Sequence, residues 1–267
     1  MKPSRRLHLH AIVVVTALVL GLTPSPTQAA SKGNAPAPVD ASAKPRTAEA
    51  ILADFVQALG GEAAWNKHKS LKVDMTLEVK GLALAGKAQA LWTAEGHYLE
   101  TGEIPKLLTM KRGGSGQRFW SQDPIDGLRW LDEAEAEQTA LAAAWGGYTA
   151  LTRFSRTSET IPPEEPNQEC VKLTYEHSPP TTYCFDTQTH RLLLEIGKKV
   201  SPQGETPYTT RFSDYRASGG VWFPYVQETA AGPATFIVTV NEIAWDVPAP
   251  KALFKLPARG TSRANGK

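Results

Sequence analysis

Between Ser70 and Lys80 apolar and polar residues alternate without a fault: Leu71, Val73, Met75, Leu77 and Val79 against Lys72, Asp74, Thr76, Glu78 and Lys80. That period of two predicts a half-buried strand. Gly81 turns it into a partner from about Leu82 to Thr93, and Gly96 turns that into His97–Gly102, an antiparallel meander. Lys106–Arg112 and Gln117–Ser121 form a further expected hairpin around Gly113, Gly114 and Gly116. The pattern returns late in the chain. Tyr208, Thr210, Phe212 and Asp214 alternate, Gly219 and Gly220 supply a turn, and Val221–Thr229 follows with Trp222, Phe223, Tyr225 and Val226 on both faces. After Gly232 and Pro233, Thr235–Trp245 places Phe236, Val238 and Val240 on one face and Ile237, Ile243 and Trp245 on the other, the mark of an interior strand.

Helical spacing occurs in three places. Thr47 is an expected N-cap for a stripe of Ile51, Leu52, Phe55, Val56 and Leu59 that Gly60 and Gly61 end. Glu62–Lys69 is a short second segment carrying Trp65 toward the same surface. Asp132–Trp145 is an alanine-rich helix stopped by Gly146 and Gly147. Strands resume at Gln168–Glu176, Thr181–Phe185 and Arg191–Val200. About nine or ten strands and two or three helices, with connections suited to antiparallel neighbours, predict one curved sheet and no βαβ repeat.

The ends read differently. In residues 1–30, Lys2, Arg5 and Arg6 precede the apolar run Ala11–Leu22 and small residues through Ala30, the pattern of a signal peptide. That run is short for a membrane span, and no cysteine follows it to take a lipid. Residues 31–46 are small, polar and proline-rich, a disordered linker. The domain is 47–257, and 258–267 is a polar tail. A soluble, exported, periplasmic monomer without an integral membrane segment is expected.

Composition then narrows the chemistry. With 41% hydrophobic and 21% charged residues the chain is ordinary and globular. Its leader holds three basic residues and no acidic one, so the mature chain is close to neutral and lacks the positive field that nucleic-acid binding requires. Cys170 and Cys184 flank an expected hairpin that turns near Ser178–Pro180. In an exported protein they are expected to close a disulfide contributing about 3 kcal/mol. GLALAGKA at Gly81–Ala88 approximates a phosphate loop, but Ala88 lacks the hydroxyl and no helix follows Lys87. GGSG at Gly113–Gly116 lacks the spacing of a nucleophile elbow. His68, His97, His177 and His190 stand apart from one another and read as surface residues. Asp132, Glu133, Glu135 and Glu137 read as a solvated face compensating a helix dipole, without metal. No cofactor is expected, and no catalytic constellation is marked.

Aromatic residues remain, led by seven tryptophans. On a curved sheet roofed by helices they suit the lining of an apolar cavity. Trp92, Tyr98, Trp120, Trp130, Phe212, Trp222 and Tyr225 are the ligand-binding candidates.

ALGG ending the first helix, KSLK opening the first strand, QRFWSQDPIDGLRWL, TYCFDTQTHRLLLE, FSDYRASGGVWFP and the closing VNEIAWDVPAPKALFKLP together resemble the periplasmic lipoprotein-carrier-like (LolA/LolB-like) superfamily, in particular its outer-membrane lipoprotein-sorting-protein-like branch. The resemblance spans Thr47–Pro257, with Asp214–Tyr215 before a glycine turn, Pro224 and Phe254–Pro257 as its most specific pieces. It implies a mainly β fold: one open antiparallel half-barrel with helices covering the concave face and an apolar cavity between them. It also implies non-catalytic carriage of lipid, lipoprotein acyl chains or another hydrophobic ligand. No residue here matches the carriers' cavity arginine, so no ligand contact is carried over. Two other functions fit the same scaffold: an envelope sensor or protein-interaction module, and an envelope lipid hydrolase, for which no nucleophile is marked.

Overall fold

The alternating segment becomes β1 (Ser70–Val79), from which the sheet grows in two directions. On one side lie β2 (Leu84–Thr93), β3 (His97–Ile104), β4 (Leu108–Ser115), β5 (Arg118–Asp123) and the edge strand β6 (Gly127–Trp130). On the other side β1 pairs with the last strand, β13 (Ala234–Trp245). From there the order runs backward through β12 (Val221–Ala231), β11 (Gly204–Ser218), β10 (Leu192–Ser201), β9 (Thr181–Asp186) and β8 (Gln168–Thr174) to the second edge, β7 (Thr157–Ile161). Neighbouring strands are antiparallel and the two edges do not pair, so the sheet is an open half-barrel. The computed structural model describes residues 46–257 apart from 107 and 117. The leader, residues 31–45 of the linker and the polar tail lie outside the described residues.

Between the two edge strands the chain crosses the concave face as α3 (Glu133–Ala143), a 3-10 turn (Gly147–Ala150) and α4 (Leu151–Phe154). Two helices precede the sheet, α1 (Ala48–Ala58) and α2 (Gly61–Trp65). Thr47 caps α1 by accepting the Ala50 amide, and the stripe Ile51, Leu52 and Phe55 is buried against Leu173, Phe185 and Phe212. Each such side chain contributes about 1.5–3 kcal/mol of burial. The corner after α1 is fixed by backbone contact. Trp222 donates its amide to Leu59 O at 3.0 Å, and a Cβ on Gly60, at φ 107°, would lie 2.3 Å from Gly220 O. Only glycine allows α2 to sit this close to the β11–β12 hairpin.

Among the described residues thirteen strands form the sheet, more than the nine or ten read from the sequence. The edge strands β6 and β7 account for part of the difference: GLRW is four residues long, and TSETI is polar throughout. β13 corrects a face assignment. Its register with β1 shifts so that Val240 faces Met75 and Ile243 faces Val73, with Asn241 as the extra residue. This bulge moves Ile243 and Trp245 onto the same face as Phe236, Val238 and Val240, not the opposite one. Cys170 and Cys184 stand directly opposite on β8 and β9 and form the disulfide.

Candidate functional site

Two groups of buried residues share the concave face. α1 fills the half over β8–β11, while β1, β2, β12 and β13 present a second apolar surface. Between these and α3 lies a cavity of about 230 Å³. Leu71, Val73, Met75, Ala90, Val238, Val240 and Ile243 form its aliphatic wall, and Trp92, Tyr98, Trp222 and Phe223 add aromatic rings.

Its other half, under β8–β11, is polar. Tyr208 donates its hydroxyl to Glu195 Oε1 at 2.5 Å, and Tyr148, from the 3-10 turn, donates to Glu195 Oε2 at 3.1 Å. The hydroxyls of Tyr175 and Tyr183 share a hydrogen bond of 3.0 Å. Burial pushes Glu195 above the usual carboxylate range, opposed by the Tyr208 and Tyr148 hydroxyls. Lys199 also lines the cavity, and burial pushes its ammonium down to about 7, assisted by the Arg112 charge. Behind Tyr98, Glu100 faces Arg112 across the β3–β4 pair. Burial raises Glu100 to about 7, against the pull of Arg112.

The roof is tied to the sheet at several points. Trp92 Nε1 donates to Ala142 O at 2.9 Å. Gln138 donates to Lys198 O and accepts the Val200 amide, satisfying backbone groups of β10 beyond its paired segment with β9. Glu137 accepts the amides of Glu176, His177 and Ser178 and the Ser178 hydroxyl. Burial works to raise its pKa, but the His177 amide and the Ser178 hydroxyl and amide outweigh it. Glu135 is buried, closes a capping box with Asp132 and receives two hydrogen bonds of 2.6 Å from Arg129. The acidic start of α3 is therefore a set of structural anchors and not simply a solvated face.

One end of the cavity is closed by aromatic rings. Trp65 meets Trp145, Phe223 and Trp245 edge-on at centroid distances of 5.4–5.7 Å. His68 stacks on Trp245 at 4.1 Å and bridges Asp246 and the Gly219 carbonyl at 2.9 and 3.0 Å. A Cβ on Gly219 would lie 2.4 Å from Trp245, so the turn glycine also makes room for the ring. The surface reading of the histidines is corrected here: His68 is built into this cluster.

Of the seven aromatic candidates, Trp92, Tyr98 and Trp222 are brought together on the cavity wall. Phe212 faces inward but packs under α1 and against Tyr148. Trp120 is buried and donates Nε1 to Phe254 O, while its neighbour Phe119 joins the concave core. Trp130 is 44% exposed on β6 beneath Arg118, and Tyr225 is half-buried beneath Arg216. Sequence reasoning missed Tyr183, Glu195, Lys199 and Tyr208 in the cavity wall, and it left Trp65 and Tyr148 outside the seven candidates. The available signal was Glu195 and Lys199 at even spacing within a strand.

Neither a protein-family model nor a curated protein sequence matches the chain. Solved structures do. A LolA superfamily protein from Nitrosomonas europaea superposes with a TM-score of 0.54 at 12% identity, covering 79% of this chain and 98% of that one. The chain shares the fold of this LolA superfamily protein. An outer membrane lipoprotein-sorting protein domain from Vibrio parahaemolyticus has the LolA-like fold in common at a TM-score of 0.50 and 11% identity, covering 78% and 97% of the two chains. A DUF1329 family protein from Desulfovibrio piger gives 0.51 at 10% identity, with coverage of 78% and 97%. Among the described residues no helix is long and apolar enough to cross a membrane, and no group of His, Cys, Asp or Glu is placed to hold a metal ion.

Proposed function

We propose that this protein is an exported, periplasmic carrier or binding protein for an apolar tail, drawn from lipid, lipoprotein acyl chains or another hydrophobe, and that it is non-catalytic. The observation that carries this reading is the cavity itself: an aliphatic and aromatic wall on β1, β2, β12 and β13, roofed by α3. Its volume of about 230 Å³ exceeds the roughly 150 Å³ of an apolar cavity that holds benzene. The signal-peptide pattern and the fold shared with a lipoprotein-sorting protein domain support the same reading. Trp92, Tyr98 and Trp222 are the proposed aromatic contacts.

Native mass spectrometry of the mature protein taken from periplasm, followed by organic extraction, tests this. A co-purifying lipid or lipopeptide is expected. An empty protein whose tryptophan fluorescence ignores every added lipid class would overturn carriage.

A further inference from the structure

We propose that the cavity takes a single-chain amphiphile with a carboxylate head, its tail against β1, β2 and β13 and its head on the ammonium of Lys199. This rests on the apolar-tail reading above and names the other end of the same ligand. Lys199 is 8% exposed and lines the cavity, and among the described residues its ammonium makes no hydrogen bond and no ion pair. A cation so deeply set is unfavourable in a medium of low dielectric constant, and the charges of Glu100, Glu195 and Glu135 offset this only in part. Burial accordingly pushes its pKa down to about 7.

Two of the three carboxylates around it are already engaged, and burial holds the third partly neutral. Glu195 holds the hydroxyls of Tyr208 and Tyr148, Glu135 holds Arg129, and Glu100 stands opposite Arg112 with its pKa raised by burial to about 7. A ligand carboxylate supplies a direct ion pair and draws Lys199 back to its protonated form. Among the described lining residues Lys199 is the only cation. One ammonium matches a monoanion, whereas a phosphate dianion would bring a second charge with nothing to balance it. The aliphatic wall on the other half of the cavity supplies the tail's surroundings.

The mature protein is titrated at pH 7 with decanoic acid, 1-decanol and decyl phosphate, followed by tryptophan fluorescence. Decanoate is expected to bind at least about tenfold more tightly than decanol, as a charge-assisted hydrogen bond implies. Lys199→Met is expected to erase that preference, bringing the affinities for decanoate and decanol together. Equal affinity for acid and alcohol in the unaltered protein overturns the head-group assignment and leaves tail binding standing. So does a preference that survives in Lys199→Met. Tighter binding of decyl phosphate than decanoate overturns the carboxylate in favour of phosphate. Failure of all three probes overturns the tail reading itself. The acid–alcohol comparison needs no variant, so it decides even if Lys199→Met does not fold.

Discussion

Both carboxylate oxygens of Glu100 are buried in β3 without a hydrogen-bond partner among the described residues. Burial therefore sets its pKa at about 7, well above an ordinary 4.5. Below pH 4.5 the group is neutral whether the chain is folded or not; as pH rises toward 7 the unfolded chain ionises first and the fold loses stability. Glu100→Gln is expected to raise stability by up to about 3 kcal/mol at pH 8 and to change little at pH 4, read as urea midpoints. An equal shift at both pH values would contradict the assignment. His68 works in the opposite sense. Its hydrogen bond to Asp246 raises its pKa, burial opposes this, and the Gly219 carbonyl assists. The resulting stability is fully present below the unfolded value near 6.5 and is lost as pH rises through the folded one. His68→Gln should lower the melting temperature more at pH 5.5 than at pH 9, and a pH-independent loss would assign His68 to stacking alone. Neither role was legible in the sequence, because each depends on residues more than ten positions away or across the sheet. For Trp120 and Phe119, adjacent residues take opposite faces, and aromatic content alone does not say which faces inward.

Elements were legible where burial is one-sided and regular. β1 follows its alternation residue by residue, and α1 begins at the Thr47 cap. β10 defeats the same logic. Leu192 points into the concave core, a register shift follows, and Leu194 then packs outward against the disulfide pair, leaving Glu195 and Lys199 inward. A bulge of this kind reverses hydrophobic bookkeeping without changing composition, just as the one beside Asn241 does in β13. The outward patch on β8–β10 survives because Cys170–Cys184, Ile161 and Ile196 cover it. The disulfide joins strands 14 residues apart in sequence and thus mainly restrains the unfolded chain. Loop entropy at this length gives about 3 kcal/mol. The Cys170→Ser, Cys184→Ser double variant should lose about that much in denaturant unfolding, with amide exchange on β7–β9 accelerating first. An unchanged midpoint would mean that strand pairing alone fixes this edge.

At the scale of the whole molecule, the single sheet follows from short antiparallel connections, and those were readable as turns. The cavity was not readable, because it is the space left between a roof and a floor that are far apart in sequence. Its volume of about 230 Å³ falls below the roughly 300–1,000 Å³ typical of sites for drug-sized ligands. On the proposed reading, a space of this size suits one short tail, whereas a lipid with two long chains would need the roof to lift. Lifting it breaks identifiable bonds: Trp92 to Ala142 O, Gln138 to β10, Glu137 to the Glu176–Ser178 turn, and Tyr148 to Glu195. Ala142 on α3 faces this space, so a larger side chain there occupies it from the roof without touching the polar half. Ala142→Phe is therefore expected to weaken decanol and decanoate alike by about tenfold or more, since the apolar burial they share is what it removes. Filling the void holds the melting temperature level or raises it. Fluorescence titration of both ligands with a thermal melt checks this, and affinity unchanged in a folded variant would move the tail out of the cavity altogether.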